Sequence, residues 1–197
     1  MADTLRCDVA VIGAGTAGLA AERAARANGA STLLIDPEYR GTTCAAVGCM
    51  PSKLLIAAAH AAHAASSAAM FGVNVGQVTI DGKAVMQRVR NERDRFVRLT
   101  KEGIEEIPAS IRIKGRAAFT APGRISLDDG RQIDAASIVI ATGSAPFVPD
   151  EFANLGERVL TSDSIFELED LPGRLAVIGS GAIGLEMAQA MARLGVA

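Results

Sequence analysis

Tryptophan is absent from the 197 residues, tyrosine occurs once, and aromatic residues make up only 4%. That leaves little from which to build a stacking platform for single-stranded nucleic acid. No charge sign dominates: 20 basic residues face 22 acidic ones, for a net charge of −2. Without a basic block or an acidic tail, neither a nucleic-acid partner nor a disordered acidic segment is expected. Cysteine occurs three times, too few and too odd a number for a secreted disulfide scaffold. One working pair in a cytoplasmic protein fits better, with Cys7 left as a small buried hydrophobe. The N-terminus carries Asp3 and Asp8 rather than the basic start of a signal peptide. No uninterrupted apolar stretch reaches about 18 residues, so no membrane span is expected; Val9–Leu19 is apolar but broken by glycines.

What is present is a core-forming composition, 49% hydrophobic, with 20 glycines placed in motifs. Arg6–Ile12 is apolar with little alternation, the pattern of a strand buried on both faces. Gly13-Ala-Gly-Thr-Ala-Gly18 follows at once, then an alanine-rich helical run Leu19–Asn28 closed by Gly29. Ser31–Ile35 is a second buried strand ending at Asp36. This is a β–α–β unit of roughly 30 residues, expected to be parallel and right-handed. Gly13 permits the tight turn, Gly15 lets backbone approach a pyrophosphate, and Gly18 lets the helix lie close on the sheet. Free N–H groups and the helix dipole then face the phosphates. Asp36 stands 18 residues past Gly18, where a carboxylate can accept from both ribose hydroxyls.

Further along, Lys53–Met70 and Gly82–Ile107 read as helices, the second amphipathic. Arg112–Asp134 has short β-prone pieces with turns at Pro122-Gly123 and Asp129-Gly130, a small antiparallel meander. Ser137–Ala141 is another buried strand, closed by Thr142-Gly143, and Pro146–Pro149 reads as a linker. Arg174–Ile178 opens a further strand before Gly179-Ser-Gly-Ala-Ile-Gly184 and a helical run to Leu194. A second nucleotide unit is thereby begun and, at Ala197, not finished.

Two cysteines five apart, Cys44 and Cys49, lie just ahead of the first helical run. A stabilising disulfide closing so short a loop gives only about 2 kcal/mol in the chain-entropy model. Five residues along an ideal helix rotate by about 500°, so bridging requires a distorted first turn. Such a bridge would be strained and readily reduced. The helix start and Lys53 would favour a thiolate. Two unrelated thiols remain an alternative. A metal site is another: His60 and His63 follow on the helix, but no nearby partner completes a ligand set.

Gly41-Thr-Thr-Cys-Ala-Ala-Val-Gly-Cys-Met-Pro-Ser-Lys53 resembles the redox-active segment of the class I pyridine nucleotide–disulfide oxidoreductases. Both glycine motifs and Ile140-Ala-Thr-Gly-Ser144 share that resemblance, in the family's order and over essentially the whole chain. Among the members, Pro51-Ser52-Lys53 and Ser180-Gly-Ala-Ile-Gly-Leu-Glu186 look most like dihydrolipoamide dehydrogenase, with mercuric reductase close behind. Two positions depart from the common pattern. Thr42 replaces the second glycine of Gly-Gly-Thr-Cys, and Ala46 stands where asparagine is common. Neither change removes a reacting group.

The resemblance implies an α/β fold: a Rossmann-like FAD-binding domain with a small antiparallel sheet insertion, residues 1–146, and the start of a second Rossmann-like NAD(P)-binding domain, residues 147–197. It implies Cys44 as the interchange thiol, bridging reversibly to Cys49, the thiolate set against the flavin. Lys53 would approach the flavin and pair with Glu186. FAD would be held by Gly13, Gly15 and Gly18 with Thr16 and Ala17, by Asp36 and Pro37, and by Gly41, Thr42 and Thr43 beside Cys44. Ala117 would touch the adenine end, and Ala141, Thr142 and Gly143 would close over the flavin. Gly179, Gly181 and Gly184, with Ser180, Ala182 and Ile183, would cradle NAD or NADP.

The implied reaction passes electrons from a dithiol, a dihydrolipoyl group on a small molecule or carrier domain, through the cysteine pair and FAD to the nicotinamide. A glutathione-type or mercuric reductase is the alternative, and a non-catalytic flavin-binding redox module is another. The family's acid–base histidine, paired with glutamate, comes from a C-terminal domain of the partner subunit in a homodimer, and no such region follows here. The 197-residue chain is therefore expected to be an N-terminal portion, inactive alone and weak in holding flavin.

Overall fold

The computed structural model describes residues 4–197. Packing gathers them into two compact units, residues 4–43 with 97–145, and residues 44–96 with 146–197. Residues 44–96 lie inside the first domain in chain order, yet they pack with the second glycine unit.

In the first unit, β1 (Thr4–Ile12) leads through the glycine loop into α1 (Thr16–Ala27) and back to β2 (Thr32–Asp36). α2 (Thr43–Ala46), α3 (Cys49–Ser67) and α4 (Gly82–Glu105) follow, then β3 (Arg112–Lys114), β4 (Ala117–Ala121), β5 (Arg124–Leu127) and β6 (Gln132–Ile140). All six strands form one sheet in the order β3-β2-β1-β6-β5-β4. β3, β2, β1 and β6 are parallel, while β5 and β4 continue antiparallel. Two findings go beyond the sequence reading. Arg112 belongs not to the meander but to β3, parallel to β2. Ser137–Ile140 is the far half of β6, whose near half carries the meander.

The pairing order places β3 and β4 at opposite ends of the sheet. Only Gly115 and Arg116 join them, a link whose three Cα–Cα steps span at most about 10 Å, whereas the edges of a flat sheet of this order would be about 24 Å apart. The sheet must therefore curl, laying the meander over the parallel strands. The cores agree with this. Ala10, Ile12, Leu33, Ile35 and Ile113 on the parallel strands pack with Ile125, Leu127 and Ile133 of the meander. On the opposite face Val11 and Leu34 pack with Ala14, Ile107 and, on α1, Leu19 and Ala21. Alternate residues of β1 and β2 thus serve opposite cores, which is why these strands read as unbroken apolar runs. Leu34 is fully buried there. Leu34→Ala is expected to cost about 2–5 kcal/mol, seen as a lower urea midpoint.

The second unit is helical. Leu55 and Ala59 on α3, Met86 and Val89 on α4, and Met187, Ala190, Met191 and Leu194 on α6 (Ala182–Arg193) share one core with Ile165 and Phe166. These are helical stripes spaced three and four apart. A short helix, α5 (Asp150–Ala153), precedes this part of the unit. Asp81 caps α4 by accepting the Ala84 N–H at 3.0 Å. The run Thr43–Phe71 is, by length and composition, apolar enough to cross a membrane. Alanine supplies that hydropathy, and Leu55 and Ala59 of the run are fully buried in the core.

The strand expected at Arg174–Ile178 does not form as a strand. A strand needs a ladder partner, and among the described residues the backbone bonds at this segment run to Ala197. Ala197 N–H donates to the Gly173 carbonyl at 3.2 Å, and Leu175 N–H donates to the Ala197 carbonyl at 2.9 Å. That pair of bonds is the first rung of a parallel ladder.

Candidate functional site: two dinucleotide loops and a dithiol

Three strand ends meet at the carboxyl edge of the parallel sheet in the first unit. β1 stands between β2, which follows it in the chain, and β6, which returns on its other side. Such a reversal of strand order is where open α/β sheets bind ligands. Gly13 N–H donates to the Ile35 carbonyl at 2.7 Å, Ala14 N–H to Asp36 Oδ2 at 2.9 Å, and Ala141 N–H to the Ile12 carbonyl at 2.8 Å.

Within the loop the three glycines do different work. Gly13 has φ +103°, and a Cβ there would lie 2.3 Å from the Ala141 carbonyl oxygen. A Cβ on Gly18 would lie 1.8 Å from the Gly13 oxygen. A Cβ on Gly15 would meet nothing within 4 Å, so its missing side chain keeps space clear for something that is not protein. The first intrahelical bond of α1 runs from Leu19 N–H to the Gly15 carbonyl at 2.9 Å, and no side chain caps the helix. The amides of its first turn, including Thr16 and Ala17, are thus directed off the helix end. These residues fit the pyrophosphate of a dinucleotide.

The second loop repeats the first in the other unit. Gly179 has φ +108°, Gly184 would place a Cβ 2.4 Å from the Gly179 oxygen, and Gly181 faces open space. No side chain caps α6, where Ala182 and Ile183 form the first turn and follow Ser180. Of the other residues assigned to nucleotide binding, Thr142 and Gly143 are exposed beyond β6. Ala117 opens β4, two residues past Gly115, whose N–H reaches the Asp36 carbonyl at 3.3 Å. Gly41 takes φ +104° ahead of Thr42 and Thr43.

The cysteines occupy a break between helices. α2 ends at Ala46, and α3 begins at Cys49 after Gly48, whose φ of −116° and ψ of −113° lie outside the helical region. The distortion that bridging demands is thus an interruption of the helix, not a strained turn within it. Both cysteines are free thiols, Cys44 half-buried and Cys49 exposed. Their side chains hydrogen-bond, and this contact, before burial, raises the Cys44 thiol above its ordinary value of 9.0. The Cys49 backbone N–H also donates to the Cys44 sulfur and partly opposes the rise. The helix start and Lys53 are expected to favour a thiolate in this segment, without singling out Cys44; at Cys44 the neighbouring sulfur opposes one. Cys49→Ala is expected to lower the Cys44 pKa, because the sulfur is removed and the amide remains. The pH midpoint of Cys44 alkylation by iodoacetamide, read by peptide mass spectrometry, checks this; an unchanged midpoint would refute the assigned cause.

Lys53, one turn into α3, and Glu186 on α6 form an ion pair with Nζ to Oε1 at 2.6 Å. Both side chains are substantially exposed, 58% and 42%. Such a pair adds only about 0–1 kcal/mol to stability, so its consequence is positional: it fixes where the ammonium stands. Pro51 is buried in the first turn of α3, where its missing N–H leaves no hydrogen bond unmade. Among the described residues no group of three potential metal ligands comes together, His60 and His63 included.

The sequence profile of the family described as "Pyridine nucleotide-disulphide oxidoreductase" matches residues 7–197. The chain belongs to this family. It is 38% identical to a mercuric reductase of Streptomyces lividans over 95% of its own length and 41% of that protein's. It is 36% identical to a dihydrolipoyl dehydrogenase of Chlamydia pneumoniae over 98% of its length and 42% of that protein's. The chain thus spans about two fifths of the curated relatives it matches. A solved structure, the Cu(II) complex of the HOCl-induced flavoprotein disulfide reductase RclA from Escherichia coli, matches 96% of the chain with a TM-score of 0.73. That chain is 24% identical, 41% of it is covered, and the likeness bears on fold alone. The family is one of disulfide oxidoreductases, and membership implies FAD and a nicotinamide nucleotide.

Sequence reasoning missed Tyr39. It takes φ +52°, and its hydroxyl donates to the Leu34 carbonyl at 2.5 Å and to the Ile113 carbonyl at 3.3 Å, bridging β2 and β3. Burial raises its pKa strongly. The signal was legible: Asp36-Pro37 opens a turn in which an aspartate binds backbone ahead of it.

Proposed function

We infer that this chain is the flavin-binding and dithiol-bearing part of an oxidoreductase that oxidises dihydrolipoyl groups. The observation that carries the reading is the Cys44–Cys49 thiol pair, hydrogen-bonded across a helix break on a segment ending in the fixed Lys53–Glu186 pair. In the oxidised state a substrate thiolate attacks Cys44 Sγ, and Cys49 leaves as thiolate. The second substrate thiolate then attacks the substrate sulfur of the mixed disulfide, releasing Cys44. The substrate becomes a cyclic disulfide, the cysteines hold two electrons, and the two thiol protons are shared with solvent and the reduced pair. The Cys49 N–H supports charge on Cys44 during its release, and the neighbouring sulfur then favours its reprotonation. Flavin, when bound, supplies two-electron transfer between the thiols and NAD or NADP. The amides at Gly15, Thr16 and Ala17 would hold its pyrophosphate, and those at Gly181, Ala182 and Ile183 that of the nicotinamide nucleotide. We further read the complete protein as a cytoplasmic homodimer.

The test is direct. The oxidised chain, given dihydrolipoamide, is expected to gain two titratable thiols; no gain would refute the reading. A second reading is favoured by the similarity to the mercuric reductase: two adjacent thiols are also ligands for a soft metal ion. Protection of both cysteines from alkylation by one equivalent of mercuric ion, without reduction by dihydrolipoamide, would decide for it.

A further inference from the structure

A carboxylate offers about four lone-pair sites, and three of those at Asp36 are already taken by backbone. Oδ2 accepts the Ala14 N–H at 2.9 Å, while Oδ1 accepts the Glu38 N–H at 2.9 Å and the Tyr39 N–H at 2.7 Å. Asp36 therefore ties the middle of the glycine loop to the turn that follows β2. Two further contacts brace this arrangement. Tyr39, in its left-handed conformation, packs in the same apolar cluster as Ala14. Its hydroxyl locks the turn onto β2 and β3. A left-handed tyrosine is a strained conformation, and these bonds hold it in place.

We propose that Asp36 is a positioning residue that pre-forms the phosphate loop, and that it takes an adenosine ribose through one hydroxyl rather than two. This rests on the flavin reading above and departs from the sequence expectation that Asp36 accepts both ribose hydroxyls. The physical reason is reach. A side chain that meets backbone on both of its oxygens has one lone pair left and no freedom to turn toward a diol. A glutamate, one methylene longer, would carry its oxygens past the turn.

The test has two arms, amide exchange on the 197-residue chain and flavin binding on the full-length protein. Without flavin, amide exchange at Ala14, Glu38 and Tyr39 is expected to be slow. In Asp36→Asn an NH2 replaces one acceptor, so whichever way the amide turns, Ala14 or the Glu38/Tyr39 pair should exchange at least tenfold faster. Core amides such as Leu34 serve as the control for folding. Equal exchange in both proteins would overturn the clamp. In the second arm, binding of FAD is compared with binding of its adenosine 2′-deoxy and 3′-deoxy forms by flavin fluorescence. The wild type should lose affinity for only one deoxy form, and Asp36→Glu for both. A wild type that discriminates equally against both deoxy forms would overturn the single-hydroxyl assignment. Slow Ala14 exchange with no flavin form bound would support the clamp and count against the flavin reading instead.

Discussion

Gly18→Ala is expected to unfold the first unit's nucleotide loop and remove dinucleotide binding, whereas Gly15→Ala, three residues earlier, is expected to remove binding alone. The difference is in what a methyl would meet. At Gly18 it would lie 1.8 Å from the Gly13 carbonyl oxygen, a backbone atom fixed by the bond from Gly13 N–H to the Ile35 carbonyl. Neither partner can turn aside, so α1 must move off the sheet, costing about 3 kcal/mol or more. At Gly15 the methyl would meet no protein atom within 4 Å, and its φ of −79° suits any residue. Stability should then change by less than about 1 kcal/mol, while the approach of a phosphate is blocked. A roughly 10- to 100-fold loss of FAD affinity follows, equivalent to the 1–3 kcal/mol of a forced methyl. Thermal unfolding with and without FAD separates the two effects. If Gly15→Ala destabilises the flavin-free chain as much as Gly18→Ala, the open space at Gly15 has no connection with a ligand.

Cys44→Ser and Cys49→Ser should each abolish turnover of a dithiol substrate in the full-length protein, by about 10⁴-fold or more, as for removal of a nucleophile elsewhere. They should fail differently. With Cys49 replaced, Cys44 has no partner to expel a bound thiol, so a mixed disulfide at Cys44 should accumulate and be visible as one added substrate mass. With Cys44 replaced, no adduct should persist at Cys49. Exposure alone points the other way, since Cys49 is the more open sulfur. Intact mass spectrometry after incubation with an oxidised model disulfide decides it. Accumulation on Cys49 would reverse the roles of the two cysteines while leaving the pair as the reacting unit.

Much of this was readable without coordinates because it depends on local spacing. The steric demands at Gly13 and Gly18 lie within one turn, and glycine is the signature such turns leave. The apolar runs Arg6–Ile12 and Ser31–Ile35 announced strands buried on both faces, and the two cores on either side of β1 and β2 bear that out. The helix break at Gly48 was foreshadowed by the angular mismatch of two cysteines five apart. Less legible was Asp36. A single carboxylate at the right distance from a glycine loop suggests a ribose, but which lone pairs are free depends on a turn three residues ahead and an amide 22 residues behind.

The sequence by itself determined the loops, the strand and helix identities around them, and the residues able to exchange electrons. Each of those is set by short-range sterics or by chemistry carried on the side chain. The Lys53–Glu186 pair, 133 residues apart, was already implied by the family resemblance, whereas tertiary structure alone decided that the meander curls over the parallel strands and that residues 44–96 pack with the second glycine unit. Those outcomes depend on which apolar faces find one another, and no local pattern encodes a partner that distant in sequence.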